Sequence, residues 1–341
     1  MLRYVVHRLF VMVPTLVAIS LLTFIIIQLP PGDYLSNQIA ELRSRGESSG
    51  LERLEFLRAE FALDRSWLEQ YVIWLGLWPG PNGFSGILQG NWGWSFEYSK
   101  PVSDVVGDGL LLTIVLNAAT VLFIYVVAFP IGIYSATRQY SWGDYGFTFV
   151  GYIGLATPNF LLGLILLYYF NKWFGMSIGG LMDPEYLGQP WSFGKVQSVL
   201  SHLIVPTIVI GTSGTAAMIR RLRANLLDEL QKQYVVTARS KGLGEGKLLL
   251  KYPLRMALNP FVADIGNLLP QLVSGSIIVS VVLNLPTIGP VLLDALASQD
   301  LFLSGFILFF VALLTVFGML VSDILLAILD PRIRLGAEAA K

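Results

Sequence analysis

Six stretches of this chain run for more than twenty residues without an Asp, Glu, Lys or Arg: Leu9 to Leu29, Gly109 to Thr137, Tyr145 to Asn171, Val196 to Ile219, Ile265 to Leu293 and Leu301 to Ser322. About 20 apolar residues cross a bilayer as a helix, because each rises roughly 1.5 Å against a hydrocarbon core of about 30 Å. A soluble domain can bury one or two such helices, but six leave too few polar faces to dissolve it. The composition agrees: 13% of the residues are charged and 54% hydrophobic, where a soluble domain carries roughly a quarter charged residues. The reading is an all-α integral membrane protein with six transmembrane helices. The fifth run is longer than a span requires and contains Pro286 and Pro290, so its helix is placed from about Phe261 to Leu283 with an external loop after it.

Loop charges orient the spans, since Lys and Arg resist translocation. Residues 220–259 hold nine bases and three acids, whereas residues 30–108 hold six bases and eleven acids. The first segment is therefore read as cytoplasmic and the second as external. Six spans then put both termini in the cytoplasm, in keeping with Arg3 and Arg8 at one end and Arg332 and Arg334 at the other. The first run follows basic residues as a signal peptide would. It is too long, however, and Pro30-Pro31-Gly32-Asp33 is not a cleavage site of small residues, so it reads as an uncleaved span.

The division expected is a first helix over 1–29, an external segment with short amphipathic helices over 30–108, and a five-helix core over 109–341 with a cytoplasmic segment at 220–259. Leu51, Leu54, Leu57, Phe61, Leu68 and Tyr71 recur near helical spacing in the external segment. The aromatics around Trp74, Trp78, Trp92 and Trp94 read as an interfacial belt, with a docking face for an external partner as the other reading. In the cytoplasmic segment Leu222, Leu226, Leu230, Tyr234 and Ala238 lie four apart, one face of a helix prolonging the fourth span. Gly242 ends that helix, because glycine accepts the left-handed conformation. A second short helix with Leu248, Leu249 and Leu250 follows, disturbed by Pro253. This basic, aliphatic knuckle has no evident place to bury its apolar side, which is the mark of a partner surface.

Several chemistries are excluded. No cysteine is present, and two histidines, His7 and His202, cannot assemble a His-rich metal site. The zero net charge offers no basic excess for nucleic acid. Gly242-Leu243-Gly244-Glu245-Gly246-Lys247-Leu248 lacks both the glycine spacing and the hydroxyl of a phosphate loop. Ser135, Ser141 and Ser201 sit in no nucleophile motif, and no catalytic residue is expected. Polar side chains inside spans face a bundle interior or a water path. Those singled out are Asn117, Thr120, Asn159, Asn267, Gln271, Ser274 and Ser276, with Asn117, Asn159, Asn267, Gln271 and Ser274 as candidates for a solute pathway and interhelical bonding as the competing role. Pro158 and Pro206 are candidate kinks.

The segment Gln233-Tyr234-Val235-Val236-Thr237-Ala238-Arg239-Ser240-Lys241-Gly242-Leu243 resembles the coupling motif of permeases of the oligopeptide, dipeptide and nickel class of ABC importers. Leu155-Ala156-Thr157-Pro158-Asn159-Phe160-Leu161-Leu162-Gly163, Asn284-Leu285-Pro286-Thr287-Ile288-Gly289-Pro290, Leu329-Asp330-Pro331-Arg332-Ile333-Arg334 and Asn91-Trp92-Gly93-Trp94-Ser95-Phe96 with Pro101-Val102 are similar to the same class, so the resemblance covers nearly the whole chain. The general motif has Glu-Ala-Ala, three residues and Gly; Val236 stands at the acidic position, as is common in the peptide class. Residues Gly80 to Ile87 read as an insertion.

The resemblance implies the type I ABC importer permease (MetI-like) fold. It further implies a plasma (inner) membrane location in a bacterium or archaeon and a second homologous permease subunit. Two cytoplasmic ATPase subunits that hold ATP and Mg, and an external substrate-binding protein, complete the implied assembly. Tyr234, Thr237, Ala238, Arg239, Ser240, Lys241, Gly242 and Leu243 would couple to the ATPase. Peptides, or a similar small polar solute, would be carried inward by alternating access, with no cofactor on this chain. An ion-gradient-driven secondary transporter acting alone is the alternative; it normally needs ionisable residues deep in its spans, and these runs have none.

Overall fold

The computed structural model describes residues 2–329 apart from 31, 33, 46–47 and 175–178; for 2–4, 45, 48–50, 53, 174, 267, 269 and 270 it describes the backbone alone. The motif residues 330–334 and the Asn267 side chain therefore lie outside the described residues. The elements in chain order are α1 (Leu2–Gln28), α2 (Tyr34–Arg45), α3 (Ser48–Glu60), α4 (Trp67–Leu75), β1 (Trp94–Ser95), β2 (Lys100–Pro101) and α5 (Val102–Thr137). They continue with α6 (Trp142–Ala156), α7 (Asn159–Phe174), α8 (Phe193–His202), α9 (Ile204–Leu230), α10 (Gln233–Ser240) and α11 (Glu245–Lys251). The last are α12 (Pro253–Val282), α13 (Ile288–Ala297) and α14 (Leu301–Leu329). Among the described residues the single sheet is the two-stranded antiparallel ribbon β1–β2, and the fold is all-α.

Four helical stretches are long and apolar enough to cross a membrane unaided: Val5–Gln28, Val102–Thr137, Phe193–Leu230 and Leu301–Leu329. The third run is not a straight span. It divides into α6 and α7, bent by 99°, because Pro158 lacks the N–H that would continue α6 and holds Thr157 extended at φ −88°, ψ 118°. The fifth is bent by 63° between Glu245–Gly266 and Gln271–Val282, with Pro270 between the two parts. Two more departures concern this region. Helix α12 starts at Pro253, ahead of Phe261, since proline is well placed in a first helical turn. What was read as loop after Leu283 contains α13, whose Ile288, Leu292 and Ala295 form a buried face at helical spacing. Pro206 stands in the first turn of α9, just after the α8–α9 boundary at Leu203.

The chain forms two compact units. The first comprises Met1–Leu9, Leu112–Pro286 and Thr315–Lys341. Its core is the cluster of Leu116, Ile124, Val209, Ile210, Leu222, Phe261, Val279 and Leu283 from α5, α9 and α12. Tyr125 donates to the Phe261 carbonyl at 2.8 Å and Ser322 to that of Val262 at 2.6 Å. A β-carbon at Gly266 would lie 2.7 Å from the Met319 backbone, so α12 and α14 touch main chain to main chain. We expect Gly266→Ala to force them apart and cost about 1–3 kcal/mol. An unchanged thermal midpoint of the solubilised variant would contradict this close approach.

The second unit comprises Phe10–Leu111 and Thr287–Leu314. Its helices α3 and α4 carry Leu51, Leu54 and Leu57, and Leu68 and Tyr71, respectively, while Phe61 falls in the turn between them. They are separated where Ala62 adopts φ 56°, and α4 opens with Glu69 accepting from the Ser66 backbone N–H at 3.1 Å. Phe24 of α1 packs on Tyr71 and Trp74, and the Ser20 and Tyr71 hydroxyls lie 2.8 Å apart. The belt reading fails for Trp74, which is buried; Trp92 is half-buried and stacks on Phe306 at 4.3 Å. Trp74 is a core residue, while Trp67 and Trp78 are exposed. Asp300 is fully buried and accepts from Ser95 Oγ at 2.7 Å, Glu97 N at 3.1 Å and Leu303 N at 3.3 Å, fastening the ribbon to the start of α14. Burial pushes its carboxyl above the usual range against the pull of these bonds. In Gly80 to Ile87, Gly80 and Gly83 exchange backbone hydrogen bonds at 2.9 and 3.0 Å to close a turn.

Candidate functional site

The knuckle begins where α9 ends. The four-apart series from Leu222 to Ala238 is not one helix: α9 stops at Leu230, Lys232 is extended at φ −67°, ψ 147°, and α10 starts at Gln233. The break turns the apolar face of α10 onto α11, and Val235, Ala238 and Leu248 are buried against each other with Leu243 and Tyr252 around them. This cluster is separate from the core of α5, α9 and α12. The knuckle thus buries part of the apolar surface that seemed to lack a partner. Tyr234, Val236 and Leu250 stay exposed, Leu250 by 68%.

Gly242 follows α10 at φ +78°, and its N–H bonds to the Arg239 carbonyl at 3.0 Å. An added β-carbon would meet nothing within 4 Å, so the glycine is required by backbone conformation and not by crowding within this chain. Arg239 reaches over the turn to Glu245, with Nε 2.8 Å and Nη2 3.2 Å from the two carboxylate oxygens. That bond raises the affinity of Arg239 for its proton. Thr237 and Ser240 donate to the carbonyls of Gln233 and Val236 at 2.9 and 3.0 Å. The Tyr234 hydroxyl donates to Glu229; burial first and this bond second push it above the usual tyrosine range. The eight motif residues therefore form α10 and the turn after it, braced by side chains, with an apolar rim left uncovered.

Two ion pairs join α9 to its neighbours, and reading the sequence missed both. Arg223 donates Nε to Asp144 Oδ1 and Nη2 to Oδ2 of α6, each at 2.8 Å. Asp144 is 2% exposed and also accepts from Tyr140 N at 3.0 Å. Arg221 pairs with Asp264 of α12 at 2.5 Å, and its guanidinium lies 4.9 Å from the Phe261 ring centre. In the sequence these arginines counted only toward the sign of a loop. The usable signal was an acid at the head of one apolar run and arginines just past the end of another.

The polar residues of the spans separate into two groups. Asn117 and Thr120 are buried in α5, where Asn117 Nδ2 bonds to the Thr113 carbonyl and Thr120 to that of Leu116, both at 2.8 Å. Ser276 is buried too and bonds to the Val273 carbonyl. Asn159, beside the α6–α7 bend, donates to the Ile210 carbonyl of α9 at 3.3 Å. Gln271 and Ser274 are exposed on α12. His202 packs with Nδ1 2.9 Å from the Ser198 carbonyl.

Comparison with known proteins agrees with this layout. Residues 128–335 match the family described as binding-protein-dependent transport system inner membrane component, and residues 1–117 match its N-terminal counterpart. The chain is 32% identical to the oligopeptide transport system permease protein AppB of Bacillus subtilis (strain 168), over 98% of this chain and 99% of that one. It is 30% identical to the glutathione transport system permease protein GsiC of Escherichia coli (strain K12), over 98% and 99%. With the dipeptide transport system permease protein DppB of Lactococcus lactis it shares 28% identity over 98% and 100%. Matched along its length by the family and by these relatives, the chain belongs to the binding-protein-dependent transport system inner membrane components and is a multi-pass membrane permease component of an ABC importer.

Proposed function

We propose that this permease moves peptides, or a similar small polar solute, inward, with a second permease subunit, two ATPase subunits holding ATP and Mg on the cytoplasmic side, and an external binding protein. The observation that carries the reading is the knuckle of α10 and α11, a braced turn with an uncovered apolar rim at the end of α9. Seated in a groove of an ATPase, it would transmit closure of the ATPase pair into the spans. Arg223 to Asp144 and Arg221 to Asp264 make α6, α9 and α12 move together, so that nucleotide binding biases inward-open against outward-open states. Peptide chemistry is proposed from the oligopeptide, dipeptide and glutathione permeases among its relatives. The membrane is proposed to be the plasma membrane of a bacterium or archaeon.

The test is reconstitution. The chain alone in liposomes is expected neither to hydrolyse ATP nor to move solute, and the reassembled importer to do both. Transport by the chain alone would overturn the reading.

A further inference from the structure

The crossing of α6 and α9 tightens at one point and loosens one turn away. A β-carbon at Gly154 would lie 2.9 Å from Thr212 Cγ2, whereas at Gly151 the nearest atom would be Ala216 Cβ at 3.8 Å. The loosened end opens into a cavity of about 230 Å³. Its walls are apolar and aromatic, among them Phe147, Tyr152, Leu155 and Ile219, with Asp144, Arg220 and Arg223 at one end. Asp144 and Arg223 satisfy each other. Arg220 is exposed, and among the described residues it makes no hydrogen bond or ion pair. One positive charge is thus left over at the mouth of an apolar groove.

The same end carries the marks of a membrane surface. The uncharged run of α9 finishes at Ile219, directly before Arg220. Beside it Trp142 is 93% exposed and Tyr140 69%, and such aromatics settle at headgroup depth. A basic pocket between transmembrane helices at that depth suits a lipid phosphate, with the acyl chain along the groove below.

We propose that this groove is a binding site for an anionic phospholipid, whose phosphate pairs with Arg220 and whose acyl chain lies over Gly151 and Ala216. The inference requires that the chain spans a membrane, but not any particular solute or ATPase, so it can fail while the importer reading stands. The importer is placed in nanodiscs containing phosphatidylglycerol and phosphatidylcholine, and retained lipid is measured by native mass spectrometry after extraction. Phosphatidylglycerol is expected to be retained in preference. Arg220→Gln is expected to lower that preference about five-fold, and Gly151→Leu, which fills the groove, to lower retention of both lipids. A photoreactive side chain at Thr148 is expected to cross-link to lipid. Equal retention of both lipids unaffected by Arg220→Gln, or cross-linking at Thr148 to another permease subunit, would overturn the proposal.

Discussion

Gly242→Arg is expected to abolish transport while the importer still inserts, assembles and hydrolyses ATP. Two effects act at this position. Any side chain at φ +78° meets the steric penalty of the left-handed region, roughly 1 kcal/mol. The arginine adds bulk where the chain itself has open space, so its obstruction falls on whatever docks there. Gly242→Ala separates them, since alanine carries the backbone penalty with little bulk. The alanine variant is expected to keep most transport, and the arginine variant to retain hydrolysis with transport at background. Full transport by a correctly assembled arginine variant would remove the coupling role from the knuckle.

Asp144→Ala is expected to be strongly destabilising at the crossing of α6 and α9. It leaves the Arg223 guanidinium, about a quarter exposed, without its carboxylate, at a cost of about 3 kcal/mol. Thermal unfolding of the solubilised protein measures this. Replacing both partners with apolar residues, Asp144→Leu with Arg223→Met, is expected to recover most of the midpoint, because no buried charge is then left unpaired. The double variant is also expected to hydrolyse ATP with less solute moved per ATP, since α6 is no longer tied to α9 at that level. Restored stability together with an unchanged ratio would confine the pair to a structural role.

Much of the outcome was legible in the sequence because it depends on local chemistry. Uninterrupted runs such as Leu301 to Ser322 have one solution in hydrocarbon, a helix that satisfies its own backbone. Gly242 was readable as a left-handed stop because that conformation is a property of the residue and its neighbours. Leu51, Leu54 and Leu57 fall in α3 and Leu68 and Tyr71 in α4, but Phe61, counted in the same spacing, lies in the break between them. The motif around Gly242 also carried the family resemblance. Other features depend on what the rest of the chain brings near. Pro158 announced a bend, but not its 99° nor that α7 packs against α9 and α12. Trp74 and Trp92 have the composition of an interfacial belt, and only the folding of Phe24 and Phe309 against Trp74 makes it core, while Phe306 stacks on a half-buried Trp92. By itself, then, the sequence determined most of the long helices, the bend at Pro158 and the family, but not the break at Lys232 or helix α13. Tertiary structure decided which charges meet: Asp144 and Arg223 are 79 positions apart, and no local pattern encodes a pairing whose geometry arises only when two helices cross.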